Sequence, residues 1–164
     1  MRRQTKYIVI HCSATPPGSD IGADEINDWH KRRGWKKIGY HAVIRRDGKI
    51  EFGRHFDQVG AHVAGQNYQS VGVCMVGGVD EQGDAENNFT PGQFASLRVL
   101  IAVLSRAYTQ TKVVGHRDLS PDLNGDGIIT ADEFVKECPS FNVAKWLVQG
   151  ERYERQSTYG QTDP

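Results

Sequence analysis

The sequence predicts an α/β fold, a central mixed β-sheet flanked by helices in a single domain. Short β-branched runs such as "KYIVIHC" (6–12) and "SVGVCMVGG" (70–78) alternate with stretches of helical periodicity. A hairpin signature, "GYHAVIRRDGKIEFG", lies between them. The chain of 164 residues suits one domain and is long enough to bury a core.

Residues 6–12 read as a strand covered on both faces, and "SATPPGSD" (13–20) as a loop. In "IGADEINDWHKRRG", Ile26, Trp29 and Arg33 recur at helical spacing, and Gly34 supplies the stop. Asp47-Gly48 gives the hairpin the turn residues that tolerate positive φ. Residues 70–78 form another buried strand, and "DEQGDAENN" (80–88) is a polar loop. The next helix opens with Thr90 as N-cap, Pro91 at the first position and Gln93 at the third. Its apolar stripe is Phe94, Leu97, Ile101, Leu104 and Tyr108. "KVVGH" (112–116) is a strand ending on a histidine, and "FNVAKWLVQ" (141–149) reads as a last helix. The domain is thus expected over residues 1–149, with 150–164 a polar, flexible tail.

Composition bounds the function. The chain balances 20 basic against 20 acidic residues, which argues against a broad grip on nucleic acid or anionic membrane. A local basic patch remains in "KRRGWKK" (31–37). Cys12, Cys74 and Cys138 make an odd count without framework spacing. The apolar run Tyr7 to Ile10 is too short for a signal-peptide core, and no stretch reaches membrane-spanning length. The expectation is a chain made in a reducing cytosol, with thiols free or metal-bound.

His11 and His116 each end a buried strand, where ligands gather in α/β sheets. Along the first strand Tyr7, Val9 and His11 share one face, and Ile8, Ile10 and Cys12 the other. Cys138 is therefore a better partner for His11 than Cys12. Pro139 biases Cys138 toward an extended backbone, in which Lys136 and Cys138 point the same way. Two imidazoles and a thiolate suit zinc and leave a fourth position for water. From spacing alone the same three residues read more readily as two buried histidines and an inert thiol.

The motifs "YIVIHCSAT", "WHKRRGW", "GYHAVIRRDGKIEFGR", "SVGVCMVGG", "FTPGQFASL" and "CPSF" run in one characteristic order. In this the chain resembles the zinc N-acetylmuramoyl-L-alanine amidases, the family of bacteriophage T-seven lysozyme and the peptidoglycan recognition proteins. The likeness spans about residues 6 to 148. It implies His11, His116 and Cys138 as zinc ligands, Tyr40 of "GYH" as the catalytic tyrosine and Lys136 as the catalytic lysine. His62, in "VGAHVAG", resembles a family histidine near the substrate cleft, which implies substrate binding. The implied substrate is the amide between the lactyl group of N-acetylmuramic acid and L-alanine. Such an amide needs an activated water and a positive group, as Lys136 would be, to take the charge growing on its oxygen. Tyr40 could orient or deprotonate the water, or donate to the tetrahedral intermediate. His41, His30 and His55 read as structural or surface residues, and Cys74 as a buried inert thiol.

"DLNGDGIITADE" (122–133) fits the twelve-residue EF-hand calcium loop. Asp122, Asn124 and Asp126 hold positions one, three and five, and Gly127 the sharp turn at six. Ile128 offers its carbonyl at seven, Thr130 stands at nine, and Glu133 closes at twelve. Pro121 argues against a regular entering helix, and no second EF-hand accompanies the loop, so a structural clamp fits better than a switch. The phage relative has a much shorter connection here, which makes the loop an insertion. Calcium would then preorganise the segment leading to Lys136 and Cys138.

The resemblance implies a monomeric phage endolysin acting on peptidoglycan, without membrane insertion or nucleic-acid binding. It would lie in the host cytoplasm and reach the periplasm through a holin-type lesion. A cytosolic muropeptide-recycling amidase is the second reading; that group usually carries aspartate as third ligand, against Cys138. A non-catalytic peptidoglycan-binding module is the third; such relatives typically lose the cysteine.

Overall fold

The computed structural model describes residues 4–150, and among these residues there are five strands and three α-helices. Strands β1 (Tyr7–Cys12), β2 (Ala42–Ile44), β3 (Ile50–Phe52), β4 (Ser70–Met75) and β5 (Lys112–Gly115) form one sheet in the order β3-β2-β4-β1-β5. β1 pairs in parallel with β4 and β5, and β2 with β4, while β3 runs antiparallel to β2. The sheet is therefore mixed, as expected, with β1 and β4 at its centre and buried throughout apart from Tyr7.

Helix α1 (Ala23–Arg32) covers one face of the sheet, where Ala23 and Ile26 meet Val43, Cys74 and Val76. α2 (Pro91–Ala107) and α3 (143–150) cover the other, where Ile8, Ile10, Val71, Val73 and Met75 meet Leu97, Leu104 and Val143. Alternation along β1 sends Ile8 and Ile10 to the second face and Val9 and His11 to the first. Each fully buried Leu or Ile contributes about 1.5–3 kcal/mol.

The predicted start of α2 is observed. Gln93 N donates to Thr90 Oγ1 at 3.1 Å and Thr90 N to Gln93 Oε1 at 3.0 Å, a reciprocal cap worth about 1 kcal/mol. Gln93 does more than its position foretold. Its amide nitrogen also donates to the carbonyls of Ile44 and Val76, bridging β2 and β4 where the two strands part. The stripe gains Leu100, buried with Leu97, Ile101 and Leu104, while Phe94 and Tyr108 are only partly buried. α1 is capped from outside: Glu51 of β3 accepts from Ala23 N at 2.8 Å, which holds the Glu51 carboxyl below its usual range. A Cβ on Gly22 would lie 2.2 Å from Glu51 Oε2, so only glycine admits this contact.

The segment 120–135 carries no long helix, only a short 3-10 turn at Ala131–Glu133. The last helix runs to residue 150, one past the expected domain boundary at 149, and residues 151–164 of the expected tail lie outside the described residues.

Candidate metal centre

The sheet delivers two histidines to one point. His11 is the penultimate residue of β1, on the α1 face, beside Cys74 in register on β4. His116 follows β5, and its amide donates to Ile10 O at 3.0 Å, continuing the ladder one residue past the strand. Cys138 arrives from the loop after 133 and is clamped: Arg117 N donates to its carbonyl at 2.9 Å, and Cys12 N to its Sγ at 3.2 Å. Ser140, left-handed at φ 72°, donates to Gly78 O at 2.6 Å and secures the chain beyond it.

His116 Nδ1 lies 3.0 Å from His11 Nδ1, and Cys138 Sγ lies 3.7 Å from that same nitrogen. Ligand atoms of all three residues fall within 4.8 Å of one another. A tetrahedral zinc with ordinary bond lengths separates two nitrogens by about 3.3 Å and nitrogen from sulfur by about 3.6 Å. The donor set therefore fits zinc by chemistry and by spacing. Among the described residues no other trio of His, Cys, Asp or Glu comes together in this way.

Burial dominates the electrostatics. It pushes the His11 imidazole well below its usual value, helped by His62 and His116, and lowers His116 to about 4 with Lys136 adding to the effect. Both rings are therefore neutral at pH 7, the form that binds metal. Cys138 by itself is held above the thiol range, first by its hydrogen bond with Cys12 and then by burial. A cation beside it reverses that preference, and the Cys12 amide then supports the thiolate.

Tyr40 lies across His11, ring centroids 5.1 Å apart, and burial raises its hydroxyl well above the usual value. Lys136 is exposed and lines a groove with Cys12, Ala14, Cys138 and Ser140. His62 takes a different place from an open cleft wall. It is 9% exposed and stands behind His11, with its Nδ1 2.9 Å from His11 Nε2.

The remaining histidines lie away from the trio or hold backbone contacts. His41 Nδ1 accepts from Gly72 N at 3.0 Å, with Nε2 3.0 Å from Gln58 O. His30 Nδ1 accepts from Gly39 N at 2.9 Å while its ring packs on Trp35. Cys74 is fully buried, and His55 is open to solvent.

In the loop 122–133 the side-chain oxygens turn onto backbone amides. Asp122 accepts from Gly125 N at 2.7 Å and Gly127 N at 2.8 Å, Asn124 from Asp126 N at 2.9 Å, and Asp126 from Ile128 N at 2.8 Å. Glu133 reaches back across the loop to Leu123 N at 2.8 Å and Thr130 N at 2.9 Å.

What sequence reasoning missed is the glycine slot around His62. A Cβ on Gly72 would lie 2.6 Å from the His62 ring, and one on Gly60 2.4 Å from it. A glycine in the middle of an apolar strand signals such a close approach.

A family model described as N-acetylmuramoyl-L-alanine amidase matches residues 1–139. An endolysin of Klebsiella phage KP32 is 45% identical over 150 residues, spanning 92% of this chain and 90% of its own. An endolysin of Escherichia phage T7 is 41% identical over the same shares of each chain. The solved N-acetylmuramoyl-L-alanine amidase LysC from Clostridium intestinale superposes with a TM-score of 0.69 at 29% identity, over 92% of this chain and 86% of its own.

Proposed function

This chain belongs to the N-acetylmuramoyl-L-alanine amidase family, and from that premise we propose that it is a zinc-dependent phage endolysin cleaving the lactyl–L-alanine amide of peptidoglycan. The observation that carries the zinc reading is the convergence of His11, His116 and Cys138 at ligand distances. A zinc ion held there would supply Lewis acidity and lower the pKa of its bound water to roughly 7. The residues divide the remaining work. Lys136, on the groove that Cys138 also lines, offers a positive charge to the developing oxyanion. Tyr40 stays protonated through burial, which favours hydrogen-bond donation over proton abstraction. His11 and His116 stay neutral and bind by lone pairs.

Metal analysis of the purified protein beside His11→Ala and Cys138→Ala tests this. About one zinc per chain is expected in the parent and none in either variant, with dye release from purified cell walls abolished. Full zinc content in both variants would overturn the ligand assignment.

The second part of the proposal is calcium at Asp122, Asn124, Asp126, Ile128 and Glu133. Its support is the residue pattern, together with positive φ at Gly125 and Gly127 where such a loop must turn. Calcium would neutralise Asp122, Asp126 and Glu133 and steady the segment that carries Lys136 and Cys138. Access to the wall from the host interior follows from the endolysin reading. No helix among the described residues is long and apolar enough to cross a membrane.

A further inference from the structure

We infer that His62 is a positioning residue: together with Ser70 and the carbonyl of Gln66 it forms a hydrogen-bond relay that fixes the tautomer of His11 and leaves Nδ1 bare for the metal. This inference rests on the zinc reading above, but its geometry stands on its own.

The relay has four members. His11 Nε2 lies 2.9 Å from His62 Nδ1, His62 Nε2 lies 3.3 Å from Ser70 Oγ, and Ser70 Oγ lies 2.7 Å from Gln66 O. Its direction is set from the far end. A backbone carbonyl only accepts, so the one hydroxyl proton of Ser70 goes to Gln66. Ser70 Oγ must then accept from His62 Nε2–H. A His62 ring with its single proton on Nε2 leaves Nδ1 unprotonated, and that atom accepts from His11 Nε2–H. Neutral His11 is left with a lone pair on Nδ1, the atom 3.0 Å from His116 Nδ1 and 3.7 Å from Cys138 Sγ. Each link in this direction sets one donor against one acceptor.

The surroundings hold His62 to this task. Gly60 and Gly72 admit its ring where any Cβ would collide. Asn67 Oδ1 accepts from His62 N at 2.8 Å and Val63 N at 3.0 Å, fixing the backbone that carries the ring. His62 is 9% exposed, so the ring is enclosed with its partners. A partner on the second nitrogen of a metal-binding histidine orients the ring and raises its basicity, and losing one typically costs 10–100-fold in metal affinity.

The test uses the full chain. His62→Leu fills the slot without an acceptor, whereas His62→Asn places Oδ1 where Nδ1 stood. Zinc affinity is read by competition with a chromophoric chelator. A loss of about 10–100-fold is expected for His62→Leu, with His62→Asn within about threefold of the parent. A role in packing alone predicts the reverse, because leucine satisfies an apolar slot better than asparagine. Equal affinity of parent and His62→Leu overturns the inference. Independently, a long-range proton–nitrogen spectrum of the metal-free parent shows which His11 nitrogen carries hydrogen. The expected answer is Nε2, and a proton on Nδ1 sinks the relay even if every variant folds poorly. If the parent binds no zinc at all, the ligand assignment fails, while this spectrum still decides the relay.

Discussion

The two candidate metal-binding regions are built by opposite means. The zinc site is assembled over distance: His11 and Cys138 are 127 positions apart, and His11 and His116 are 105 apart. Only the parallel pairing of β1 with β5 and the clamps on Cys138 bring them together. The loop at 122–133 is assembled locally, its side chains folding onto amides two to five residues away, with Glu133 reaching back ten. One site is buried and inherits its rigidity from the sheet. The other is largely exposed and is steadied by its own turns. Perturbations should therefore spread widely from the first and remain near the second, except where the loop hands its order on to Cys138.

The largest separation should appear in catalysis. Lys136→Ala, on the loop's side of the site, is expected to lower kcat by about 10²–10³-fold with zinc content intact, as when an oxyanion donor is removed. Steady-state kinetics beside metal analysis decides it, and an unchanged kcat would return Lys136 to the solvated surface.

Calcium comes next. At a free concentration a hundredfold above its Kd, calcium should stabilise the fold by about 2.7 kcal/mol, raising Tm by several degrees. Melting with and without calcium, zinc retained, reads this directly. No change in either Tm or hydrolysis rate would remove the loop's proposed role.

Glycine substitutions sharpen the contrast. Gly72→Ala pushes a methyl to 2.6 Å from the His62 ring inside the sheet, at an expected cost of about 1–3 kcal/mol together with weakened zinc binding. Gly125→Ala meets nothing within 4 Å and costs only the strain of its φ of 76°, about 1–2 kcal/mol, with zinc affinity unchanged. Denaturant titration and chelator competition on both variants would show whether the two regions are as separate as their construction implies.

The smallest effect should come from acid, since His116 is partly open to water. Its folded value is lowered to about 4, against roughly 6.5 in the unfolded chain. Above 6.5 both states are neutral and the histidine is indifferent. As pH falls from 6.5 toward 4 the unfolded chain takes up protons that the folded chain refuses, so stability declines across that window. Melts of the chelated protein against pH should show this decline, and His116→Ala should flatten it.

The sheet, its two helical layers and the α2 cap were legible because each depends on neighbours in sequence: alternation, 3.6-residue spacing, and Thr90 with Gln93. The ligand trio was legible only as strand-end histidines and a cysteine, which residue spacing alone could not separate from ordinary core packing. The family likeness made that choice, and the distances agree with it. The surroundings of His62 could not be read in advance, because Ser70 and Gly72 sit on β4 as unremarked small residues. Their meaning lies in what a different segment of chain needs to fit against them.

The far anchor of the histidine pair at the strand end is a main-chain oxygen, Gln66 O. Every amino acid brings that atom, so no codon change at position 66 can delete it. Heritable variation can reach this anchor only by moving the backbone itself, as a lost Asn67 clasp would. A mutational scan should accordingly find residue 66 permissive beside an intolerant 67, a pattern that side-chain chemistry alone would not lead one to expect.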